Sequence, residues 1–228
     1  METLYNGFSL DIAPGTFPLS TDSMVLSDFV KPGKKMLDLG SGCGTLGLLL
    51  CARDGNCHVT GIEIEESAHN AALENIGRNN LQSRMNSICA DLRQMNALIQ
   101  AGSMDVCLSN PPYFTGGPAS KTTPLARRED CCTPEELFQA AAHALRYGGD
   151  FFLVHKPERL AHLCGCAVTA GLEPKRLRLV RHQVGGEVTL ILLQCRKGGK
   201  PGLKWEEINL FDTNNEPTSY YKTLYHLP

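Results

Sequence analysis

The chain has 228 residues, of which 42% are hydrophobic and 20% are charged. At roughly 150 residues per domain, this length predicts one large domain, and the composition excludes a disordered or fibrous protein. Because 22 lysines and arginines are balanced by 24 aspartates and glutamates, the net charge is −2, and this average argues against a basic nucleic-acid-binding protein.

Short apolar strands alternate with helical segments along most of the chain. The predicted strands are 35–39, 58–64, 85–90, 105–109 and 151–155. The predicted helices run from the first strand's turn to residue 53, then over 67–80, 92–100, 133–145 and 157–170. The start of the helix at 133 is marked by a capping box of Thr133 and Glu136, with Pro134 at the first helical position. Such alternation predicts a doubly wound, parallel α/β sheet.

The last two predicted strands break this alternation. Residues 175–183 and 187–195 are extended segments joined through Gly185 and Gly186, which is the signal of a two-residue hairpin. We therefore expect an antiparallel hairpin to close an otherwise parallel sheet, which a plain nicotinamide-binding domain does not have. If the last strand ends near Cys195, only 33 residues follow it, too few for a separate DNA-recognition domain.

A glycine-rich turn connects the first predicted strand to its helix. Gly40, Ser41, Gly42 and Gly44 form this turn, in which glycines allow positive φ and the helix N-terminus offers unpaired N–H groups to a ligand. Gly42 and Gly44, with Gly47, also match the dinucleotide fingerprint. An NAD(P)-dependent oxidoreductase therefore remains an alternative.

Three acidic residues at strand ends favour S-adenosylmethionine instead. Asp38 precedes the glycines, where a carboxylate suits the amino group of a methionine moiety and would repel a pyrophosphate. Glu63 is placed to bind both ribose hydroxyls, a role that fits either cofactor and so indicates adenosine binding only. Asp91 is placed to read an adenine amino group or, alternatively, to cap the following helix. The cofactor-binding residues predicted from the loop and strand ends are Asp38, Gly40, Ser41, Gly42, Gly44, Glu63, Ile64, Asp91, Leu92 and Asn110.

The fourth strand is followed by a motif with the composition of a methyl-acceptor site. The Asn110 side-chain oxygen and the Pro111 carbonyl can each accept one N–H of an exocyclic amine or an amide, and so aim its lone pair at a sulfonium methyl. Pro112 removes a competing donor, and Tyr113 can stack on a planar target. We predict that Asn110, Pro111, Pro112 and Tyr113 are catalytic; an ordinary Asn-Pro turn is the alternative.

These motifs resemble those of class I S-adenosylmethionine-dependent N-methyltransferases, and in particular the bacterial tRNA(Val) adenine-N6-methyltransferase family. The resemblance extends over nearly the whole chain and includes Thr21 with Asp22 before the first strand, a pair that lies close to the cofactor in that family. Residues 126–129 are also similar, with Arg128 where the family has His. The resemblance implies a Rossmann-like class I methyltransferase fold and methylation of adenine N6 in RNA, most simply a tRNA.

The resemblance also implies a domain organisation. We expect residues 1–34 to form an N-terminal segment that packs on the cofactor site, and residues 35–228 to form a single methyltransferase domain. Three alternatives remain open for the function: N-methylation of a protein glutamine or of an rRNA base, the oxidoreductase named above, and a non-catalytic module that keeps the cofactor fold. A glutamine methyltransferase normally carries an additional N-terminal helical domain.

The compartment follows from what the sequence lacks. No signal peptide precedes the first elements, no apolar run approaches the roughly 20 residues of a membrane helix, and the ten cysteines include no C-x-x-C pair. These features predict a cytoplasmic protein with reduced thiols, no membrane partner and no metal site.

The charge is unevenly distributed. Residues 171–204 hold eight lysines and arginines and two glutamates, for a local charge of +6, whereas the rest of the chain carries −8. Because phosphate binding responds to local charge, this segment is a candidate RNA-binding surface, although a simply charged surface hairpin is the alternative. We also predict that the loop 115–132, which carries Lys121, Arg127 and Arg128, is mobile without RNA and helps to hold the target strand.

Overall fold

The computed structural model describes residues 2–4, 7–13, 18–111 and 132–227. The strands are β1 (Glu2–Thr3), β2 (Ser9–Leu10), β3 (Lys35–Leu39), β4 (His58–Glu63), β5 (Met85–Cys89), β6 (Met104–Ser109), β7 (Leu145–His155), β8 (Leu172–Gln183), β9 (Val188–Lys197) and β10 (Lys204–Phe211). The α-helices are α1 (Thr21–Phe29), α2 (Thr45–Arg53), α3 (Glu66–Arg78), α4 (Met95–Leu98), α5 (Pro134–Ala144), α6 (Leu160–Thr169) and α7 (Ser219–Tyr225). Short 3₁₀ turns at Leu92–Gln94 and Pro157–Arg159 precede α4 and α6.

Eight strands form one sheet in the order β10-β8-β9-β7-β6-β3-β4-β5. Strand β9 is antiparallel to both of its neighbours, β7 and β8, and every other neighbouring pair is parallel. All strands of this sheet except β9 therefore end at the same edge. The mostly parallel sheet with an antiparallel hairpin confirms the predicted fold class.

Both faces of the central strands are buried, which explains why β3, β4, β6 and β7 contain apolar runs. On β7, Phe152 packs edge-on against Phe29 of α1, with ring centroids 5.8 Å apart. The adjacent Phe151 points to the opposite face of the sheet and packs against Phe138 of α5, with ring centroids 5.1 Å apart. Helices α1, α2 and α3 cover one face and α5 and α6 the other. The capping box of Thr133 and Glu136 is present as predicted.

The C-terminal part of the chain corrects two predictions. The hairpin loop spans four residues, 184–187, rather than two, and the hairpin does not close the sheet, because β10 pairs in parallel with β8 outside it. The residues after 195 therefore form regular structure, namely strand β10 and helix α7. The sequence of β10 did not predict a buried strand because its first four residues, Lys-Trp-Glu-Glu, are exposed at the sheet edge.

Candidate active site

A cavity of about 310 Å³ opens at the carboxyl ends of β3, β4, β5 and β6 and is closed on one side by the start of α1. The chain proceeds from β3 to β4 and β5 on one side and then crosses to β6 on the other. The cavity thus lies at the topological switch point, where open α/β sheets bind their ligands. Its volume is at the lower end of the range for small-molecule pockets.

The glycine turn after β3 forms the floor of this cavity. The backbone amides of Gly40 and Ser41 donate to the Ile62 carbonyl at 2.9 and 3.0 Å, which ties the turn to β4. Gly40 and Gly42 have φ of 75° and 54°, and a Cβ at either position would meet open space. A ligand can therefore approach the backbone at these two residues.

Gly44 differs from the other glycines of the turn because it does not line the cavity. Its φ is 82°, and a Cβ there would lie 2.8 Å from the terminal methyl of Met85. The expected contact of Gly44 with the cofactor therefore stays a prediction. The left-handed backbone favours glycine at this position, whereas the methyl that a Cβ would meet is the end of the flexible Met85 side chain and can shift.

Glu63, at the end of β4, is held in a fixed orientation. Its Oε2 accepts a hydrogen bond from the Gly42 amide at 2.8 Å, and its Oε1 accepts one from the Glu65 amide at 2.9 Å. The residue is 9% exposed and lines the cavity. Each carboxylate oxygen keeps a further lone pair, so the geometry suits a pair of hydroxyl donors. Ile64 and Leu92 line the cavity beside it.

Asp38, in β3, lies just before the glycine turn but is not among the residues that line the cavity. It is 1% exposed, and neither of its carboxylate oxygens has a hydrogen-bond partner among the described residues. Burial, and secondarily the charge of Glu63, raise the pKa of Asp38 to about 8. A buried carboxylate without a donor is costly, so a cationic amino group arriving at this point would be stabilised. The neighbouring Ser41 Oγ is also buried without a partner within the described structure.

Asp91 lines the cavity but already has partners. Its Oδ1 accepts the Arg93 amide at 2.9 Å and so caps the 3₁₀ turn, and both oxygens contact the Arg93 guanidinium. Hydrogen bonding by Arg93 lowers the pKa of Asp91. The helix-cap alternative is therefore present in the structure, and any contact of Asp91 with a cofactor would share the carboxylate with Arg93.

The start of α1 contributes three cavity residues, of which Asp22 was expected from the family resemblance and the two serines were not. Ser20, Asp22 and Ser23 line the cavity, and burial raises the pKa of Asp22. Thr21 does not line it; its hydroxyl is instead hydrogen bonded to the Tyr225 hydroxyl of α7, at 3.1 Å. The cofactor contact expected for Thr21 stays a prediction. The signal that could have identified the neighbouring serines is the helix cap, because Ser20 is the N-cap of α1.

Asn110 and Pro111 follow β6 directly and line the cavity. The end of β6 is fixed beside β3 by Ser109 Oγ, which donates to the Leu39 carbonyl at 2.7 Å. Asn110 Nδ2 donates to Ser23 Oγ at 3.1 Å. Two further predicted catalytic residues, Pro112 and Tyr113, lie outside the described residues, as do the loop residues Lys121, Arg127 and Arg128.

The segment 171–204 is less positive in three dimensions than in sequence. Its four paired arginines contact acidic residues on other elements. These pairs are Arg176–Glu206, Arg178–Asp28, Arg178–Glu206, Arg181–Glu207 and Arg196–Asp150. Lys197 donates to the carbonyls of Ala142 and Leu145. Most of the local charge of +6 is therefore neutralised, and the charged-hairpin alternative accounts for these arginines.

One cluster away from the cavity has metal-ligating groups. Glu135, His162 and Cys166 bring one oxygen, one nitrogen and one sulfur within 4.8 Å of one another. His162 Nε2 lies 2.8 Å and Cys166 Sγ 3.5 Å from Glu135 Oε1, so these three groups already form hydrogen bonds with one another.

The nine cysteines within the described ranges are free thiols. In the same part of the chain, every helix is too short or too polar to cross a bilayer.

Comparison with known proteins agrees with this site. Residues 20–163 match the family model of the methyltransferase small domain. The chain is 32% identical to a tRNA1(Val) (adenine(37)-N6)-methyltransferase from Bacteroides fragilis, over 71% of the chain and 70% of that relative, and 30% identical to one from Tolumonas auensis, over 92% and 89%. A structure described as a predicted O-methyltransferase from Agrobacterium tumefaciens superimposes with a TM-score of 0.75 at 18% identity, covering 90% of this chain and 96% of that one. The chain therefore belongs to the methyltransferase small domain family and, within it, to the family of the tRNA1(Val) adenine-N6-methyltransferases, which are S-adenosylmethionine-dependent N-methyltransferases of the class I fold.

Proposed function

We propose that this protein methylates the exocyclic N6 of an adenine in tRNA, with S-adenosylmethionine as the methyl donor. The observation that carries the proposal is the position of Asn110, whose side-chain oxygen has no donor among the described residues and stands beside the glycine turn in one cavity. The relatives' names support the choice of tRNA, and they point to adenine 37 of a valine tRNA as the target.

The residues around the cavity fit this cofactor. When bound, S-adenosylmethionine supplies a methyl group on a positively charged sulfur. Asp38 would receive its ammonium group, which gives the orphaned carboxylate a cationic partner. Glu63, fixed by two backbone amides, would accept the two ribose hydroxyls. Ile64 and Leu92 would flank the adenine ring, and Gly40 and Gly42 leave room for the methionine moiety.

Asn110 and Pro111 would act on the target amine. The N6 lone pair of adenine is delocalised into the ring and is a poor nucleophile. Two acceptors, the Asn110 side-chain oxygen and the Pro111 carbonyl, can each bind one N–H and hold the lone pair toward the methyl group. Their hydrogen bonds strengthen as positive charge develops on nitrogen. Once methylated, the nitrogen loses one proton to water, so the reaction needs no dedicated base. We propose that Pro112 and Tyr113 complete this site by removing a donor and by stacking on the base.

The proposed tRNA substrate also implies a cell compartment and a surface that contacts the RNA. tRNA modification would take place in the cytoplasm, where the free thiols of the chain are stable. The arginines of 171–204 are mostly ion paired, so we assign less of the RNA contact to this segment and more to the loop 115–132 with its Lys121, Arg127 and Arg128.

The test is methyl transfer from labelled S-adenosylmethionine to unmodified total tRNA, followed by digestion and mass spectrometry of the nucleosides. We expect labelled N6-methyladenosine. Asn110→Ala should reduce the rate by at least about 100-fold, as for loss of a transition-state hydrogen-bond partner, with S-adenosylhomocysteine affinity within about threefold of wild type. Label in a different nucleoside, or only in a protein fraction, would contradict the proposal.

A further inference from the structure

We propose that Ser23 is a positioning residue that sets which end of the Asn110 side chain faces the methyl-acceptor nitrogen. An asparagine amide has one acceptor, Oδ1, and one donor, Nδ2. Only the acceptor end can bind the N–H of an amine, so a site built on Asn110 needs a device that excludes the flipped amide. This inference rests on the proposed function, because it concerns the acceptor that the target amine requires.

The geometry supplies such a device. Asn110 Nδ2 lies 3.1 Å from Ser23 Oγ, and no other hydrogen bond of the Asn110 side chain occurs within the described structure. Ser23 is 6% exposed, so water cannot readily replace its hydroxyl as a partner. With Nδ2 directed to α1, Oδ1 is left for the cavity that both residues line.

A serine hydroxyl can also donate, so the direction of its own proton matters. Ser23 Oγ lies 3.5 Å from Ser20 Oγ, and the Ser23 amide donates to that same oxygen at 3.3 Å. When the Ser23 hydroxyl donates to Ser20, its lone pairs remain for Asn110 Nδ2. A flipped Asn110 would instead require the hydroxyl to turn away from Ser20 and would present its NH₂ to the target amine, where two donors repel. The serine pair at the start of α1 therefore favours the productive orientation.

Kinetics of three single variants test this assignment with unmodified total tRNA. We expect Ser23→Ala to lower kcat about three- to tenfold, the equivalent of one net hydrogen bond, with KM for tRNA and affinity for S-adenosylhomocysteine unchanged. Ser23→Thr, which keeps the hydroxyl, should recover most of the rate. The matched control is Ser27→Ala, which removes another buried hydroxyl of α1, one that donates to the Met24 carbonyl at 2.8 Å, and should leave kcat unchanged.

A double variant separates orientation from general damage to α1. Asn110→Asp replaces the amide with a carboxylate whose two oxygens both accept, so it has no wrong end. Ser23→Ala should therefore change the residual rate of Asn110→Asp less than about twofold, which is the non-additivity expected for two groups that act through one contact. An equal loss in both backgrounds would overturn the proposal.

Side-chain NMR makes the test independent of the substrate. In the wild-type protein we expect nuclear Overhauser contacts between the Asn110 Nδ2 protons and the Ser23 β protons, and their loss in Ser23→Ala. Absence of these contacts in wild type would overturn the orientation, whatever the protein methylates. If the contacts are present but wild type transfers no methyl group to tRNA, the orientation stands and the proposed substrate fails.

Discussion

Replacing Asp38 by asparagine should stabilise the cofactor-free protein at neutral and alkaline pH. The carboxyl is fully buried without a partner in the described chain, and its pKa is raised from 3.8 to about 8. Between these two values the folded state holds a proton that the unfolded state has released. Stability of the wild type therefore falls as the pH rises through this window, whereas an asparagine at the same place does not titrate.

The size of the effect follows from the pKa interval. At about 1.36 kcal/mol per pKa unit, charging Asp38 costs the folded protein roughly 5 kcal/mol at about pH 8. Part of this cost remains in Asp38→Asn, because its amide is also buried without partners and costs about 1–3 kcal/mol. The change of this stability difference with pH does not include the amide cost, because that cost is the same at both pH values. Between about pH 5.5 and about pH 8, the stability of the variant relative to wild type should increase by about 3 kcal/mol.

Urea denaturation of both proteins without cofactor at these two pH values measures the difference. Asp105→Asn is a suitable control, because the Arg146 guanidinium holds the pKa of Asp105 below its usual value, so this carboxylate stays charged in both states throughout the range. Its effect on stability should be the same at both pH values. A pH-independent effect of Asp38→Asn would refute the reasoning about the buried carboxyl.

The same variant tests the role of Asp38 toward the cofactor. If the carboxylate receives the ammonium group, Asp38→Asn should weaken binding of S-adenosylhomocysteine about 10- to 100-fold at about pH 8, the range for a hydrogen bond to a charged group. Calorimetry measures this directly. Unchanged affinity would remove Asp38 from the cofactor site while leaving the stability argument intact.

Three other substitutions, the first with a matched control, test the contacts assigned to Gly44, Thr21 and Arg178. Gly44→Ala should cost about 1–3 kcal/mol in free energy of unfolding because of its positive φ. Gly165→Ala in α6, where a Cβ meets open space, should gain about 0.5–1 kcal/mol, and equal effects would contradict the backbone strain assigned to position 44. Thr21→Val should lose about 1 kcal/mol of stability through its hydrogen bond to Tyr225. If that bond is the main role of Thr21, the variant binds S-adenosylhomocysteine within about twofold of wild type, and a large loss of affinity would support the predicted cofactor contact. Arg178→Met should lower the free energy of unfolding by about 2 kcal/mol, because this arginine joins α1, β10 and α7 and its side chain is only 11% exposed. An unchanged free energy of unfolding would show that its ion pairs contribute nothing net.

Much of the cavity and of the local structure could be predicted from the sequence, because it depends on motifs whose residues are close together in the chain. The Asn110-Pro111 pair after β6, the glycines after β3 and the acid that ends β4 each follow a strand. Parallel strands end at one edge of a sheet, so their positions along the chain already implied one shared cavity. The capping box of α5 was equally readable, because all of its hydrogen bonds lie within four consecutive residues.

The hydrogen-bond and ion-pair partners of the site and surface residues depend on long-range contacts, which the sequence does not predict. The contact between Asn110 and Ser23 joins residues 87 positions apart, and no spacing rule connects a loop after β6 with the first turn of α1. The ion pair of Arg178 with Asp28 spans 150 positions, so local charge counting overstated the positive surface. The orphaned state of Asp38 is likewise visible only in three dimensions, because burial and the absence of a donor are properties of everything packed around a residue. Sequence alone thus identified several groups at the cavity, among them Glu63 and Asn110. The tertiary structure decided which other residues line it and which groups are paired, and pairing sets their pKa, orientation and charge.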